Sequence, residues 1–438
     1  MRFLTGKTKR RPGAALQAVL PLSLFLLSAA SPPARYLTFD EAREVVQLFP
    51  DSRASGVADW NAWVRRLDLD IRARIARGIE DSISNLILYG TSYTALSRPE
   101  TADPGERVRE FIAALSRPDE NERLLFARQF LSQRGISGAA LETYLNQNLQ
   151  RFAAELGTYQ ESLRKAGEAG KPEPLLLARG TLYEKRGLSA DTSLLPNYAI
   201  EDTLRVMMEK GTIASGAIRR VAVIGPGLDF VDKRDAYDFY PLQTIQPFAV
   251  MEALVRLKLA QPSNLQVTAC DINPLVLSHI ERLPKSRAYS IQLPYDPEAG
   301  WTPAAVTYWE QFGDIVGAPA QPVSLPPGLP DLRIRAVAIK PEFLKKVRPL
   351  DIDIVTQTAD EKFDLVVATN VLVYYDRLQQ ALAMASIAHM MNSGGIFLAN
   401  HVLPAHHPDA LQYLGRRSVN YSLSGAFGDE IVGYRRRP

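Results

Sequence analysis

The sequence predicts an α/β protein: a Rossmann-like, mostly parallel sheet with a terminal antiparallel hairpin, preceded by an all-helical N-terminal domain. Three observations carry this. After Gly216 short apolar runs alternate with helical patterns, as strands and helices do in such a sheet. Before Lys210 apolar residues recur at three- and four-residue spacing between charges, and β-branched runs are scarce. Near the end Val419, Tyr421 and Leu423 alternate ahead of a turn and "DEIVGYRRR", which predicts the hairpin.

Taken in chain order, residues 1–30 read as a signal peptide or N-terminal anchor. Arg2, Lys7, Lys9, Arg10 and Arg11 precede an apolar stretch that ends in small residues, Ser28-Ala29-Ala30. Gln17 and Pro21 interrupt that stretch, which falls short of the roughly 20 apolar residues of a membrane span. A cleaved leader, a retained anchor and a misassigned start all remain open. Use of the leader implies an exported or cell-envelope protein with no stable membrane span after cleavage; a misassigned start implies a cytoplasmic one.

Residues 36–184 read as the helical domain. "WNAWVRRLDLDIRARIARGIEDSISNLILYG" and "ENERLLFARQFLSQRG" are amphipathic, and "YGTSYT" reads as a turn between helices, with contact to a ligand as the alternative. Residues 185–438 form the α/β domain, with insertions at 228–247 and 284–345. Its expected strands are "RRVAVIG", "LQVTACD", "IDIVTQT", "FDLVVAT" and "GGIFLAN". "QPFAVMEALVRLKLA", "NPLVLSHIERL" and "LQQALAMASIAHMM" are the helices between them, and "GAPAQPVSLPPGLP" reads as a proline-rich loop.

The chain carries a net charge of +3, but its first 30 residues hold five basic residues and no acid, so the remainder is net negative. No concentrated basic face appears beyond the terminal "YRRRP", which argues against a nucleic-acid partner. The single cysteine, Cys270, excludes an intramolecular disulfide and lies in an apolar run, as a small core residue would.

Open α/β sheets bind ligands beyond the carboxyl ends of their strands, so the residues after each strand are the candidates. Gly225-Pro226-Gly227 follows the first, where glycines let a ligand approach the backbone. Asp271, then Ile272, follows the second. The Asp271 carboxylate could accept both hydroxyls of a ribose or could cap the next helix. Such an acid usually lies about 20 residues past the glycines; the insertion "LDFVDKRDAYDFYPLQTI" accounts for the longer spacing here. Gln357 and Thr358 follow the third expected strand and could meet an adenine edge. "TNVLVYYD" follows the fourth, offering Asn370, Tyr374 and Tyr375 as ligand contacts or as the cover of a core made by Val371, Leu372 and Val373.

At these residues the chain resembles the class I S-adenosylmethionine-dependent methyltransferases. "KFDLVVATNVLVYYDRLQQALAMASIAHMMNSGGIFLANH" is particularly similar to the chemotaxis-receptor glutamate methyltransferases, and "QPFAVMEAL" to the helix after their first glycine loop. The resemblance covers about residues 185–438. It implies S-adenosylmethionine as cofactor, with Gly225, Pro226 and Gly227 beside its methionine part. Asp271 and Ile272 would lie at the ribose, Gln357 or Thr358 at the adenine, and Asn370 near the sulfonium. Tyr374 would border the transfer pocket, and Thr192 and Ser193 would be further cofactor contacts. Three positions depart from the pattern: Val223 stands for an acid, Asp229 for a third glycine, and Thr369 for an arginine. The last removes a natural partner for a carboxylate substrate.

The expected function is methyl transfer to an unidentified small-molecule or protein acceptor. Transfer from a sulfonium needs alignment and exclusion of water more than a dedicated acid or base. Asp229, Asp232, Asp235, Tyr237, Asp238 and Tyr240 would form a lid that contributes to substrate choice, or else a solvated loop. His401, His406 and His407 could be polar loop residues, a base or metal ligands. No metal is expected, because adjacent histidines rarely reach one ion and no cysteine assists. Two other functions stand beside this one: an exported, non-catalytic binding protein that retains the fold, and an NAD-linked oxidoreductase, disfavoured by the missing third glycine.

Overall fold

A seven-stranded sheet organises the chain, and its strands form where apolar residues run without interruption. The computed structural model describes residues 33–49, 57–96, 102–168, 187–188, 192–231, 237–286, 288–326, 329, 331–400, 408–425 and 427–438. The first part holds β1 (Arg35–Tyr36), α1 (Phe39–Leu48), α2 (Val57–Tyr89), α3 (Pro104–Ser116), α4 (Glu122–Gln133), α5 (Ala139–Glu168) and α6 (Leu195–Glu209). Then come β2 (Arg220–Ile224), α7 (Gln246–Arg256), β3 (Gln266–Asp271), α8 (Pro274–Arg282), β4 (Ser290–Tyr295), α9 (Pro303–Gln311), β5 (Gly317–Ala320) and β6 (Arg333–Ile339). The remainder is α10 (Pro341–Leu344), β7 (Val347–Asp351), β8 (Gln357–Thr358), β9 (Phe363–Ala368), α11 (Arg377–Met390), β10 (Met391–Ala399), β11 (Leu411–Asn420) and β12 (Gly428–Arg436).

The strand order of the main sheet is β11-β12-β10-β9-β2-β3-β7. The five strands from β10 to β7 are parallel, and β12 runs antiparallel to both of its neighbours, giving the expected terminal hairpin. β2 is flanked by β3 on one side and β9 on the other, so the order reverses there and opens a crevice beyond its carboxyl end. Alternate residues face opposite layers. Val221, Val223, Val267, Ala269, Leu365 and Val367 pack with α6, α7 and the insertion after α8. Ala222, Ile224, Cys270, Val366 and Ala368 pack with α1, the first part of α2 and α11. Coverage of both faces explains why these strands read as continuous apolar runs.

The N-terminal helices are not all remote from that sheet. Leu37, Ala42, Val45, Trp60, Val64 and Ile71 share a core with it, while the second part of α2 packs with α3, α4, α5 and with Phe230 and Val231 from the loop after β2. Residues Pro32–Pro438 make one compact unit. Trp60 is fully buried, edge-on to Phe39, and its Nε1 donates to the Leu37 carbonyl at 2.7 Å. Trp60→Ala is therefore expected to destabilise the fold by about 4 kcal/mol, read as a lower urea midpoint.

Two local expectations are corrected. "IDIVTQT" is not the third strand; that strand is β7, Val347–Asp351, and it contains Pro349. Proline lacks a backbone donor but is tolerated on an edge strand, and β7 ends the sheet. Ile352, Ile354 and Val355 are buried as their apolar character suggests, but in a turn. Asp353 shapes it by accepting from the Val355 N–H at 3.0 Å and the Thr356 hydroxyl at 2.9 Å. Gln357 and Thr358 then form β8, which pairs with β1.

The second correction is in the insertion 284–345. It builds a three-stranded antiparallel sheet, order β4-β6-β5, with α9 beside it. Part of the expected proline-rich loop is β5, whose Pro319 again sits on an edge strand. Among the described residues no helix is long and apolar enough to cross a membrane; the leader lies outside them.

Candidate active site

The crevice at the end of β2 is lined by Gly225 and Gly227, with Pro226 buried between them but not on its wall. Both glycines have positive φ, +65° and +68°. A Cβ on Gly225 would lie 2.4 Å from the Val371 Cγ2, so side chains are excluded by backbone shape and by space.

At the end of β3, Asp271 and Ile272 line the same crevice. The Asp271 Oδ1 accepts the Asn273 N–H at 2.8 Å. Burial pushes its carboxyl up to about 6, although the Asn273 and Ile272 N–H groups favour the charged form; Asp351 adds to the rise. Among the described residues no cation pairs with it. The helix cap is not Asp271: Asn273 does that work, its Oδ1 accepting from the Leu275 N–H at 3.1 Å.

Beyond β9 come Thr369, Asn370, Val371, Tyr374 and Tyr375. Asn370 has φ +57°, uncommon for a residue with a side chain. It is held from both sides: its N–H donates to the Asn400 Oδ1 at 2.7 Å and its Oδ1 accepts from the Asn400 Nδ2 at 2.9 Å. That Nδ2 also donates to Asp429 at 3.1 Å, and the Tyr421 hydroxyl donates to the other Asp429 oxygen at 2.8 Å. The terminal hairpin thus fixes the residue expected near the sulfonium. Asn400→Ala should release the strained turn and weaken nucleoside binding by about 1–2 kcal/mol, roughly tenfold, measured by calorimetry.

Ahead of the sheet, Thr192 and Ser193 reach the crevice as expected. Pro196, Asn197 and Gln246 also line it and were not read from the sequence. Asn197 is 3% exposed; its Nδ2 donates to the Ser193 carbonyl at 2.9 Å, and its buried Oδ1 has no partner among the described residues. Gln246 donates to the Thr369 hydroxyl at 2.5 Å. Its signal was present, a polar residue at the start of an otherwise apolar helix, whereas Asn197 sits in a helical pattern like any surface asparagine. The helical region contributes as well, since Arg74 of α2 donates to the Tyr374 carbonyl at 2.8 Å.

Gln357 and Thr358 are not brought to the crevice. The Thr358 hydroxyl donates to the Ser386 carbonyl at 3.3 Å, and the Gln357 Oε1 accepts from Arg72 and from the Asp353 N–H. They lie several residues past the end of the third strand, in β8.

Asp229, Tyr237 and Tyr240 line a second cavity of about 380 Å³ that shares Ser193 and Pro196 with the crevice. Their segment is no solvated loop where it is described: Asp229, Tyr237, Asp238 and Tyr240 are all buried. Buried Arg123 of α4 donates to the carbonyls of Asp229, Phe230 and Tyr240, and its guanidinium lies 5.4 Å from the Tyr240 ring centre. Asp238 accepts the N–H groups and hydroxyls of Thr91 and Ser92. "YGTSYT" is therefore a turn that grips an acid of the insertion. Asp232, Asp235, His401, His406 and His407 lie outside the described residues.

Residues 332–417, from β6 into β11, match the family described as CheR methyltransferase, SAM binding domain. No curated protein matches the sequence. Similar solved structures include the N-methyltransferase NodS from Bradyrhizobium japonicum WM9 in complex with S-adenosyl-L-homocysteine. It is 15% identical, with 56% of this chain and 89% of that chain covered and a TM-score of 0.27. TrmN from Thermus thermophilus is 10% identical, over 55% of this chain and 52% of that chain, with a TM-score of 0.27. The glycopeptide N-methyltransferase MtfA complexed with S-adenosyl-L-methionine is 11% identical, over 57% and 97%, with a TM-score of 0.26. Residues 332–417, which include the Asn370 turn, are thus similar to the SAM-binding domain of the CheR methyltransferases.

Proposed function

We propose that the protein transfers a methyl group from S-adenosylmethionine to an acceptor. One observation carries this reading: glycines, a ribose-type acid and a strained asparagine from three different strand ends converge on one crevice at the switch point of the sheet. The residues suit the cofactor. Gly225 and Gly227, both at positive φ, bring bare backbone to the wall of the crevice, and Asn197 presents a buried oxygen suited to an ammonium group. When bound, the cofactor supplies a methyl group on a positively charged sulfur.

The chain's own part is binding and alignment. Asp271 accepts the ribose hydroxyls, Ile272 offers an apolar surface beside the nucleoside, and Gly225 and Gly227 admit the methionine part. Asn370 is held rigid by Asn400, and Val371, Tyr374 and Tyr375 line the crevice and keep water from the reacting centre. Where the transfer happens follows the leader: in the cell envelope if it is used, in the cytoplasm if the start lies further on.

A ligand that binds only the folded form adds about 2.7 kcal/mol of stability at 100 times its dissociation constant. S-adenosylmethionine and S-adenosylhomocysteine should both raise the melting temperature of protein lacking residues 1–30. No shift with either at millimolar concentration would refute the reading. The non-catalytic alternative is favoured by Val223, which is fully buried in the core at the place of the usual acid; it expects binding without turnover.

A further inference from the structure

We infer that Gly78, inside the long helix α2, is a positioning residue for the cofactor crevice. With no side chain it lets Gly187 and Leu188 lie directly on the helix, and Leu188 thereby becomes a wall of the crevice. The helical region ahead of the sheet is then part of the cofactor site. The inference rests on the methyltransferase reading and adds to it a determinant that no strand end supplies.

The helix itself gives no reason for a glycine here. Gly78 lies well inside the 33-residue α2, away from either end, where only proline is less favourable. What excludes a side chain is another stretch of backbone. A Cβ on Gly78 would stand 2.0 Å from the Leu188 carbonyl oxygen and 2.5 Å from its carbon. The contact is reciprocal, since a Cβ on Gly187 would stand 2.0 Å from the Gly78 nitrogen and 2.3 Å from the Arg77 carbonyl carbon. None of these obstacles is a side chain free to swing aside, so a methyl group on either glycine must push the two chains apart. Gly157 in α5 is the contrast: a Cβ there would meet nothing within 4 Å.

The crossing leads to the crevice. The Leu188 N–H donates to the Arg74 carbonyl at 3.2 Å, one turn before Gly78. Leu188 lines the crevice with Asp271, Ile272 and Tyr375, and it also packs against the core that α1 and α2 share with the sheet. The Arg74 guanidinium donates to the carbonyl of Tyr374 at 2.8 Å, and Tyr374 is a second piece of the same wall. Arg74 and Gly78 stand four residues apart and so share one face of the helix. That face sets two parts of the crevice, one through a guanidinium and the other through bare backbone.

Calorimetric titration of the full-length protein with S-adenosylhomocysteine tests this in Gly78→Ala, Gly187→Ala, the double variant and Leu188→Ala. Each single substitution is expected to raise the dissociation constant about tenfold, the weight of one apolar side chain against a ligand, at unchanged stoichiometry. The double glycine variant should bind no more weakly than either single one, because one contact is broken only once. Gly157→Ala, the same substitution in open space, should leave affinity unchanged and raise the melting temperature. A merely structural role would lower the stoichiometry or the melting temperature and spare the dissociation constant. Leu188→Ala removes the wall and keeps the crossing at a half-buried position, so it decides the matter if the glycine variants fold poorly. Wild-type affinity in Gly78→Ala or Leu188→Ala, or a roughly hundredfold loss in the double variant, overturns this inference alone. Failure of the wild-type protein to bind overturns the methyltransferase reading and this inference with it.

Discussion

Asp271→Asn is expected to weaken S-adenosylhomocysteine binding by about 3 kcal/mol, roughly 100-fold, while making the ligand-free protein more stable. The two effects have one origin. Burial lifts the Asp271 carboxyl from its ordinary value of 3.8 to about 6, so keeping it charged in the folded state costs free energy. The folded form takes up a proton between about pH 6 and pH 4 that the unfolded form takes up only lower. Stability from this group therefore falls as pH rises through that window, and its full penalty, on the order of 2 kcal/mol, is present above pH 6. Binding runs the opposite way, because the ribose hydroxyls need the charged acceptor, so affinity should rise as pH passes 6. Asparagine removes both dependences. A melting curve and a titration at pH 5 and pH 7.5 check all four numbers together. Equal affinity in wild type and variant would remove Asp271 from the site.

The second large effect is expected at Arg123, which the sequence places on an ordinary amphipathic helix. The residue is 2% exposed, and its guanidinium donates to three backbone carbonyls of the segment after β2. Arg123→Met keeps the length of the side chain and leaves those carbonyls buried without their donor. At about 1–3 kcal/mol for each unsatisfied group, a loss near 4 kcal/mol is expected in urea unfolding. Lysine, which can reach fewer of the three, should recover part of it. The same change should loosen the wall formed by Asp229 and Tyr240. An unchanged urea midpoint would show that these three bonds do not hold the fold.

The crevice was legible from sequence because the parallel sheet does most of the work. Apolar runs mark the strands, and the residues after them, Gly225, Asp271 and Asn370, must lie along one edge. What failed were positions where apolar burial and strand geometry part company. Ile352, Ile354 and Val355 are core residues in an Asp353-shaped turn, so Gln357 and Thr358 were placed at a strand end that lies elsewhere. Pro319 and Pro349 hid edge strands, since sequence alone does not show which strands are edges. The roles of Asn197, Asn400 and Arg123 depend on partners far along the chain, and no local pattern marks such partners.

The central claim is that strand ends of the C-terminal half grip an adenosyl group, and a crystal structure of the protein grown with S-adenosylhomocysteine tests it most directly. The account expects the ribose hydroxyls on Asp271, the homocysteine part against Gly225 and Gly227, and the sulfur facing the aromatic cavity. A nucleoside bound anywhere else, or an empty crevice at saturating ligand, would contradict it.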